Sequence, residues 1–231
     1  MQGQYWKKLE TCLSPDRLAA FGHDNPGHRT IAARYLWNIA LCESLYAPIH
    51  LLEVGLRNAI DRAMTAETGV SDWYDSVTLR PWGHDQIGRA KAGISRSGRP
   101  VTSGRVIAEL HFGFWTAMFE DHYEKPEACF LPKGIKTVFP HLPKSLHKRK
   151  AIKADLDQIR ALRNRIFHHE RIIHWKDLTQ QHQLILDFLG WLSPDLCELA
   201  KIVVTFSTVH NAGIQPYLDK LDDHLAGTQG A

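Results

Sequence analysis

The stretch IAARYLWNIALCESLYAPIHLLEVGLRNAIDRAMT, residues 31–65, decides the fold class of this chain. Apolar side chains recur at helical spacing in Tyr35, Ile39, Cys42 and Leu45, then in Leu52, Leu56, Ile60 and Met64. That is the period of a helix facing a core. Pro48 lies between the two runs; lacking an N–H and carrying a ring that clashes with the preceding turn, it predicts a kink or a division there. Glu53 and Arg57 stand four apart in the favourable order for a surface ion pair. Glu43, His50, Glu53 and Arg57 interrupt the apolar run, which argues against a simple membrane span.

Helical signals continue on both sides. Ser14-Pro15-Asp16 predicts a helix start, with Ser14 as cap and Pro15 in the first helical position, running to about Gly22. Residues 69–104 repeat Gly, Pro and Ser and read as a long irregular connection with short helices. Arg89, Lys91, Arg96, Arg99 and Arg105 make that connection basic, suited to lie along an RNA backbone or simply to stay solvated. A helical pattern resumes over Arg105 to His122, with Val106, Leu110, Phe114 and Ala117 on one stripe. Its aromatics, Phe112, Phe114, Trp115 and Phe119, read as core ahead of a base-stacking platform, and Gly113 among them as a close helix contact. Pro126, Pro132, Pro140 and Pro143 then break the chain before a basic helix from about Leu146 to His169. Helices over 178–192 and 194–209 follow, the second announced by Ser193-Pro194. No strand alternation or internal repeat competes, so the expected fold is all-α: a helical bundle with a long irregular connection and extra C-terminal helices.

Composition bounds the function. With 231 residues, 44% of them hydrophobic, the chain can bury one large core. Its net charge of +3 is mild, but the distribution is not. Between 144 and 176 there are ten basic against three acidic side chains; from 177 onward there are seven acidic against two basic. A basic zone of this kind suits a phosphate-binding surface, and equally a solvated helix face. Cys12, Cys42, Cys129 and Cys197 are scattered, without the paired spacing of a zinc site or a redox pair, and read as buried thiols. Met1 to Leu13 has no apolar core of the secretory kind. A cytoplasmic soluble protein is the expectation.

The chemistry concentrates in Arg163-Asn164-Arg165-Ile166-Phe167-His168-His169-Glu170. Arginine offers a planar fork of donors matched to phosphate oxygens. Histidine can carry protons near neutrality, and asparagine can orient either group without adding charge. On a helix Asn164 and His168 share a face, whereas Arg163 lies about 140° from His168. The two reach a common phosphate only at a helix end or across a dimer seam. The same residues also fit an exposed basic helix end that complements the macrodipole.

Three blocks carry a resemblance: residues 51–60 (LLEVGLRNAI), 105–115 (RVIAELHFGFW) and 159–170 (IRALRNRIFHHE). In this order the chain resembles the Abi-like (AbiD/AbiF-type) abortive-infection proteins of the HEPN superfamily over roughly 33–200. The likeness implies a HEPN-like helical domain over 33–209, preceded by a helical extension, 1–32, and followed by an acidic tail, 210–231. It also implies a homodimer in which the Arg, Asn and His of the third block face their symmetry mates across a cleft. By position Arg163, Asn164 and His168 would be catalytic, with His169 or Glu170 as alternate or supporting groups. Lys148, Arg149, Lys150, Arg160 and Arg165 would hold RNA, and Glu53, Arg57 and Asn58 would support the site. The activity implied is a metal-independent endoribonuclease of phage defence or toxin type that needs no cofactor and leaves a 2′,3′-cyclic phosphate. An antitoxin protein or RNA would be a fitting partner, and no membrane is implied. His111 stands where many relatives carry a small polar residue, and the tail past 210 has no counterpart. Two rivals stand beside this reading. One is a non-catalytic RNA-binding or partner-binding regulator; the other is a metal nuclease built on His168, His169, Glu170 and His174, although His168 and His169 point about 100° apart on a helix.

Overall fold

In the computed structural model, residues 2–128, 130–131 and 133–227 are described. Cys129 and Pro132, which the sequence reading included among the buried thiols and the chain breaks, lie outside them, as does Met1. The described residues are all-α and form twelve helices: α1 (Gln2–Leu13), α2 (Pro15–Ala19), α3 (His28–Thr68), α4 (Pro81–Arg96), α5 (Ser103–Glu109), α6 (Phe112–Ala117), α7 (Lys133–Val138), α8 (Arg149–Phe167), α9 (Leu178–Leu192), α10 (Pro194–Val203), α11 (Phe206–Ala212) and α12 (Gln215–Gly227). Two compact units interleave along the chain. The first comprises the chain up to Ala47, Leu162–His182 and the chain from Val203; the second comprises Pro48–Ala161 and Gln183–Ile202.

The first unit is organised around the N-terminal half of α3. Leu41 and Leu45 are fully buried there, together with Leu18, Phe21, Leu162, Ile172 and Phe206. Ser14 caps α2 as its sequence predicts, its hydroxyl accepting the Arg17 N–H at 3.3 Å. Trp6 of α1 stacks on His28 with ring centroids 4.3 Å apart. In α12, Asp222 takes a two-pronged bond from the Arg29 guanidinium, so part of the segment expected as a plain acidic tail is a docked helix. His182, Phe206 and His210 form a ring stack with successive centroids 4.5 and 5.2 Å apart.

In the second unit, Leu52, Leu56 and Ile60 of α3 meet a core of Trp73, Phe112, Phe114, Trp115, Phe119, Phe139, Phe188 and Ile159, all buried. The aromatic run in 112–119 is therefore core. Trp73 donates its indole N–H to Asp61 at 2.8 Å, which satisfies its one polar atom. Gly55 packs closely: a methyl group there would come within 2.8 Å of a terminal Leu196 side-chain carbon, which would have to shift. Gly113, by contrast, faces Arg160 at an ordinary 3.8 Å, so the close contact expected at that glycine does not occur.

Four local expectations are corrected. Pro48 does not divide α3, which runs as one helix of 41 residues. Residues 81–96 form a helix of 16 residues; its buried stripe, Gly83, Ile87, Ala90 and Ile94, is too slight to register as a core pattern among so many glycines. The pattern over 105–122 splits into α5 and α6, because Leu110 and His111 are extended and the Glu53 carboxylate accepts the Phe112 N–H at 3.1 Å. The helix predicted over 194–209 likewise ends at Val203 and restarts at Phe206. The cysteines also differ from expectation: Cys12 is exposed, and Cys42 and Cys197 are half-buried. By length and composition α3 is long and apolar enough to cross a membrane; its Leu41, Leu45, Leu52, Leu56 and Ile60 are packed in protein cores.

Candidate active site

Helix α8 ends inside the 163–170 motif, after Phe167. Its apolar stripe, Ile152, Leu156, Ile159, Leu162 and Ile166, is buried and leaves the intervening residues facing outward. The last turn closes by a two-bond capping motif: the His169 N–H reaches the Ile166 carbonyl at 3.1 Å, and the Glu170 N–H reaches the Arg165 carbonyl at 2.8 Å. This Schellman geometry requires a left-handed residue, normally glycine, in the position His169 occupies. His169 has φ +58°. A side chain in that region costs roughly 1–2 kcal/mol, so the neighbours must hold it there.

They do so from three directions within the first unit. Arg17 of α2 hydrogen-bonds the His169 carbonyl, and Arg171 hydrogen-bonds the Ala20 carbonyl. Asn38 of α3, 4% exposed, donates its amide to the Glu170 carbonyl at 3.3 Å and accepts the Ile172 N–H at 2.7 Å. Arg165 and Glu170, where a Schellman turn usually has an apolar contact, form an ion pair at 2.8 Å. Arg165 also lies 5.4 Å over the Trp175 ring.

The proposed catalytic residues fall in this unit on different faces. Asn164 and His168 are one turn apart, the His168 N–H bonding to the Asn164 carbonyl at 2.9 Å. Arg163 belongs to the neighbouring stripe: its guanidinium carbon sits 4.2 Å over the Phe167 ring, and Nη1 is 3.5 Å from the Asn164 amide oxygen. Phe167 in turn is 5.6 Å from Tyr46 of α3. His168, His169 and Glu170 are exposed. His174 has its pKa lowered by burial first, then by Arg171, Arg165 and His23. Among the described residues no group of three or more His, Cys, Asp or Glu is placed to hold a metal ion.

Beside this turn opens a cleft of about 730 Å³, within the size range of small-molecule sites. One face of α3, Tyr35, Asn38, Ile39, Cys42, Glu43 and Tyr46, lines it together with Arg17, Ile166 and His169. His169, not His168, is the histidine at its edge. Of the stripe Tyr35, Ile39, Cys42 and Leu45 that the sequence pattern assigns to a core, Leu45 is fully buried, whereas Tyr35, Ile39 and Cys42 form the cleft wall and Ile39 remains 48% exposed. Burial pushes the Cys42 thiol up to about 11, so it is an inert part of that wall. Arg17 donates to the Tyr35 hydroxyl at 3.2 Å and fixes that ring.

The remaining candidates belong to the second unit. Lys148 and Lys150 are exposed beside the first turn of α8. Arg149 is tied to Glu124 at 2.7 Å and to the Phe119 carbonyl at 3.2 Å, and Arg160 is paired with Asp157 at 3.3 Å. Arg149, Lys153, Arg160 and Arg165 of the basic zone read from the sequence are thus paired locally, by Asp157 and Glu170 close in sequence and by Glu120 and Glu124 from farther along the chain. Glu53 caps α6, and Arg57 Nε contacts the Asn58 amide oxygen at 3.3 Å, which makes these residues parts of local packing in that unit. Arg17, Asn38, Glu43 and Tyr46 were absent from the sequence-derived set. The signal for Asn38, Glu43 and Tyr46 is the spacing 35, 38, 39, 42, 43, 46, a helical stripe that mixes polar and aromatic residues; Arg17, on α2, has none. Comparison with protein-family models, with curated proteins and with solved structures finds no match.

Proposed function

We propose that the chain is a metal-independent endoribonuclease whose reaction centre is the capped end of α8, as its resemblance to the Abi-like HEPN proteins suggests. The observation that carries this reading is His169, held in a left-handed conformation at the edge of an open cleft with Arg163, Asn164 and His168 in the turn before it. Backbone strain kept in place by clamps from two other helices fits a residue needed for its side chain. In the reaction an imidazole takes the proton of the ribose 2′-OH, and the freed oxygen attacks the adjacent phosphorus. The 5′-oxygen leaves with a proton from a second imidazole, which yields a 2′,3′-cyclic phosphate and a 5′-hydroxyl. Arg163 stabilises the charge on the phosphorane oxygens, and Asn164 orients the histidine one turn on. His168 and His169 share the proton transfers, with His169 on the substrate side.

Arg163 and His168 diverge on one helix, so the reading includes a homodimer in which each copy completes the other's phosphate site. The exposed Leu36 and Phe167 suit such a seam. Phage defence or toxin action in the cytoplasm, under restraint by an antitoxin protein or RNA, is the setting we propose.

The test is cleavage of total cellular RNA in EDTA by wild type, Arg163→Ala, His168→Ala and His169→Ala, with end-group analysis. Cutting by wild type that leaves cyclic phosphates and falls about 10²- to 10⁴-fold in the variants supports the proposal. Salt-sensitive RNA binding without cutting by any protein would replace it with the regulator reading.

A further inference from the structure

We infer that the cleft beside His169 is a nucleobase pocket that selects guanine, with Glu43 as the reading group and Tyr46 as the stacking surface. The inference deepens the ribonuclease reading by naming which nucleotide lies next to the cleaved bond, and its binding arm can be tested without cleavage.

The pocket offers the right chemistry in the right order. Tyr35, Ile39 and Tyr46 form its wall, and its volume of about 730 Å³ exceeds what one base needs. Tyr46 is 51% exposed, so a large part of the residue remains open to solvent. Single-stranded RNA is recognised by stacking unpaired bases on such rings and by hydrogen bonds to their Watson–Crick edges. Glu43 supplies those hydrogen bonds. It lies on the same stripe of α3, three residues before Tyr46, is exposed, and among the described residues makes no hydrogen bond or ion pair.

An ionised carboxylate only accepts hydrogen bonds, through two oxygens set side by side. Guanine presents two parallel donors, N1–H and the N2 amino group, that match this pair. Adenine and cytosine present an exocyclic amino group beside an acceptor nitrogen, which would meet a carboxylate oxygen repulsively; uracil presents one N–H between two carbonyls. The electrostatics at the other end agree. Arg17 and His169 line the same pocket and place cationic and proton-carrying groups where the sugar-phosphate of a bound nucleotide would emerge. Arg17 is already bonded to the His169 carbonyl, so base recognition on α3 and the position of the imidazole share one support.

The experiment is calorimetric titration of the full chain with the 3′-monophosphates of guanosine, adenosine, cytidine and uridine, for wild type, Glu43→Gln and Tyr46→Ala. Wild type is expected to bind the guanosine nucleotide at least about tenfold more tightly than the others, the scale of a two-bond base contact. Glu43→Gln should remove that preference while retaining the folded state, because among the described residues none hydrogen-bonds or ion-pairs with the carboxylate. Tyr46→Ala should weaken all four nucleotides together. Equal binding of the four by wild type, absence of binding, or a guanosine preference unchanged in Glu43→Gln overturns the inference. Mapping the ends of cleaved RNA separates the two proposals: guanosine binding without any cutting refutes the ribonuclease and leaves the pocket, whereas cutting with no base preference does the reverse.

Discussion

Replacing His169 with glycine separates the structural from the chemical role of the α8 terminus. The left-handed φ of +58° carries a penalty of roughly 1–2 kcal/mol for a residue with a β-carbon. Glycine removes it, and gives back roughly 0.5–1 kcal/mol through the greater freedom of the unfolded chain. The net expectation is a gain of about 0.5–1 kcal/mol. In a chain of 231 residues this corresponds to a rise of about 2–4 °C per kcal/mol in Tm. Denaturant unfolding and calorimetry would read the gain, and RNA cleavage in EDTA would read the loss of the imidazole, expected at about 10²- to 10⁴-fold. His169→Ala, which keeps the β-carbon, should lose the same activity without the gain in stability. If His169→Gly were more stable and fully active, the histidine would be a tolerated cap and the proton chemistry would lie elsewhere. If it were less stable, the account of a strained turn held by Arg17 and Asn38 would fail.

Further tests follow from particular contacts. Asn38→Ala should destabilise the protein by about 2–3 kcal/mol, since it strands the Ile172 N–H and the Glu170 carbonyl, and should speed hydrogen exchange at the Ile172 amide; unchanged exchange would sink this role. Lys148→Ala with Lys150→Ala should weaken RNA binding and flatten its salt dependence, whereas Arg149→Ala should act on stability through Glu124 and the Phe119 carbonyl; identical behaviour of the two sets would contradict the pairing. Burial lowers the pKa of His182, so between that folded-state value and the unfolded value of about 6.5 the unfolded chain binds more protons. Stability should therefore be intact above about 6.5 and decline as pH falls through this window. His182→Phe, which can retain the stack on Phe206, should reduce that decline in a pH series of denaturant midpoints; an unchanged slope would assign it to other groups.

What could be read in advance depended on how local the cause was. The span of α9 over 178–192 and the Ser14 cap follow from periodicity and from a side chain bonding three residues away, and both stand in the fold. The break between α5 and α6 was not legible, because the carboxylate that takes the Phe112 N–H comes from Glu53, 59 residues earlier. The basic zone around α8 was legible as charge but not as potential: Glu124 pairs with Arg149 from 25 residues away in the chain. Neutralisation of that kind can only be known once the fold is.

The candidate site shows the same limit from the other side. An apolar stripe states that a helix face avoids full hydration, but not whether it meets a core or a cleft. Tyr35, Ile39 and Cys42 satisfy the first statement, and only the fold decides the second: Leu45 of the same stripe is buried in the core, while these three line the cleft. Ideal helical geometry likewise favours His168, because it continues the 3.6-residue period from Asn164. The chain leaves that period at His169, where the Schellman turn swings the backbone out of the helix and sets the second imidazole at the cleft edge. A reading that assumes an unbroken helix selects His168, whereas a terminus capped in this way brings His169 to the cleft edge. The paired variants His168→Ala and His169→Ala therefore test a matter of geometry as much as of chemistry. If His169→Ala costs more in cleavage than His168→Ala, the reaction centre is set by the cap, and the period of the helix serves only to bring Asn164 and Arg163 to it.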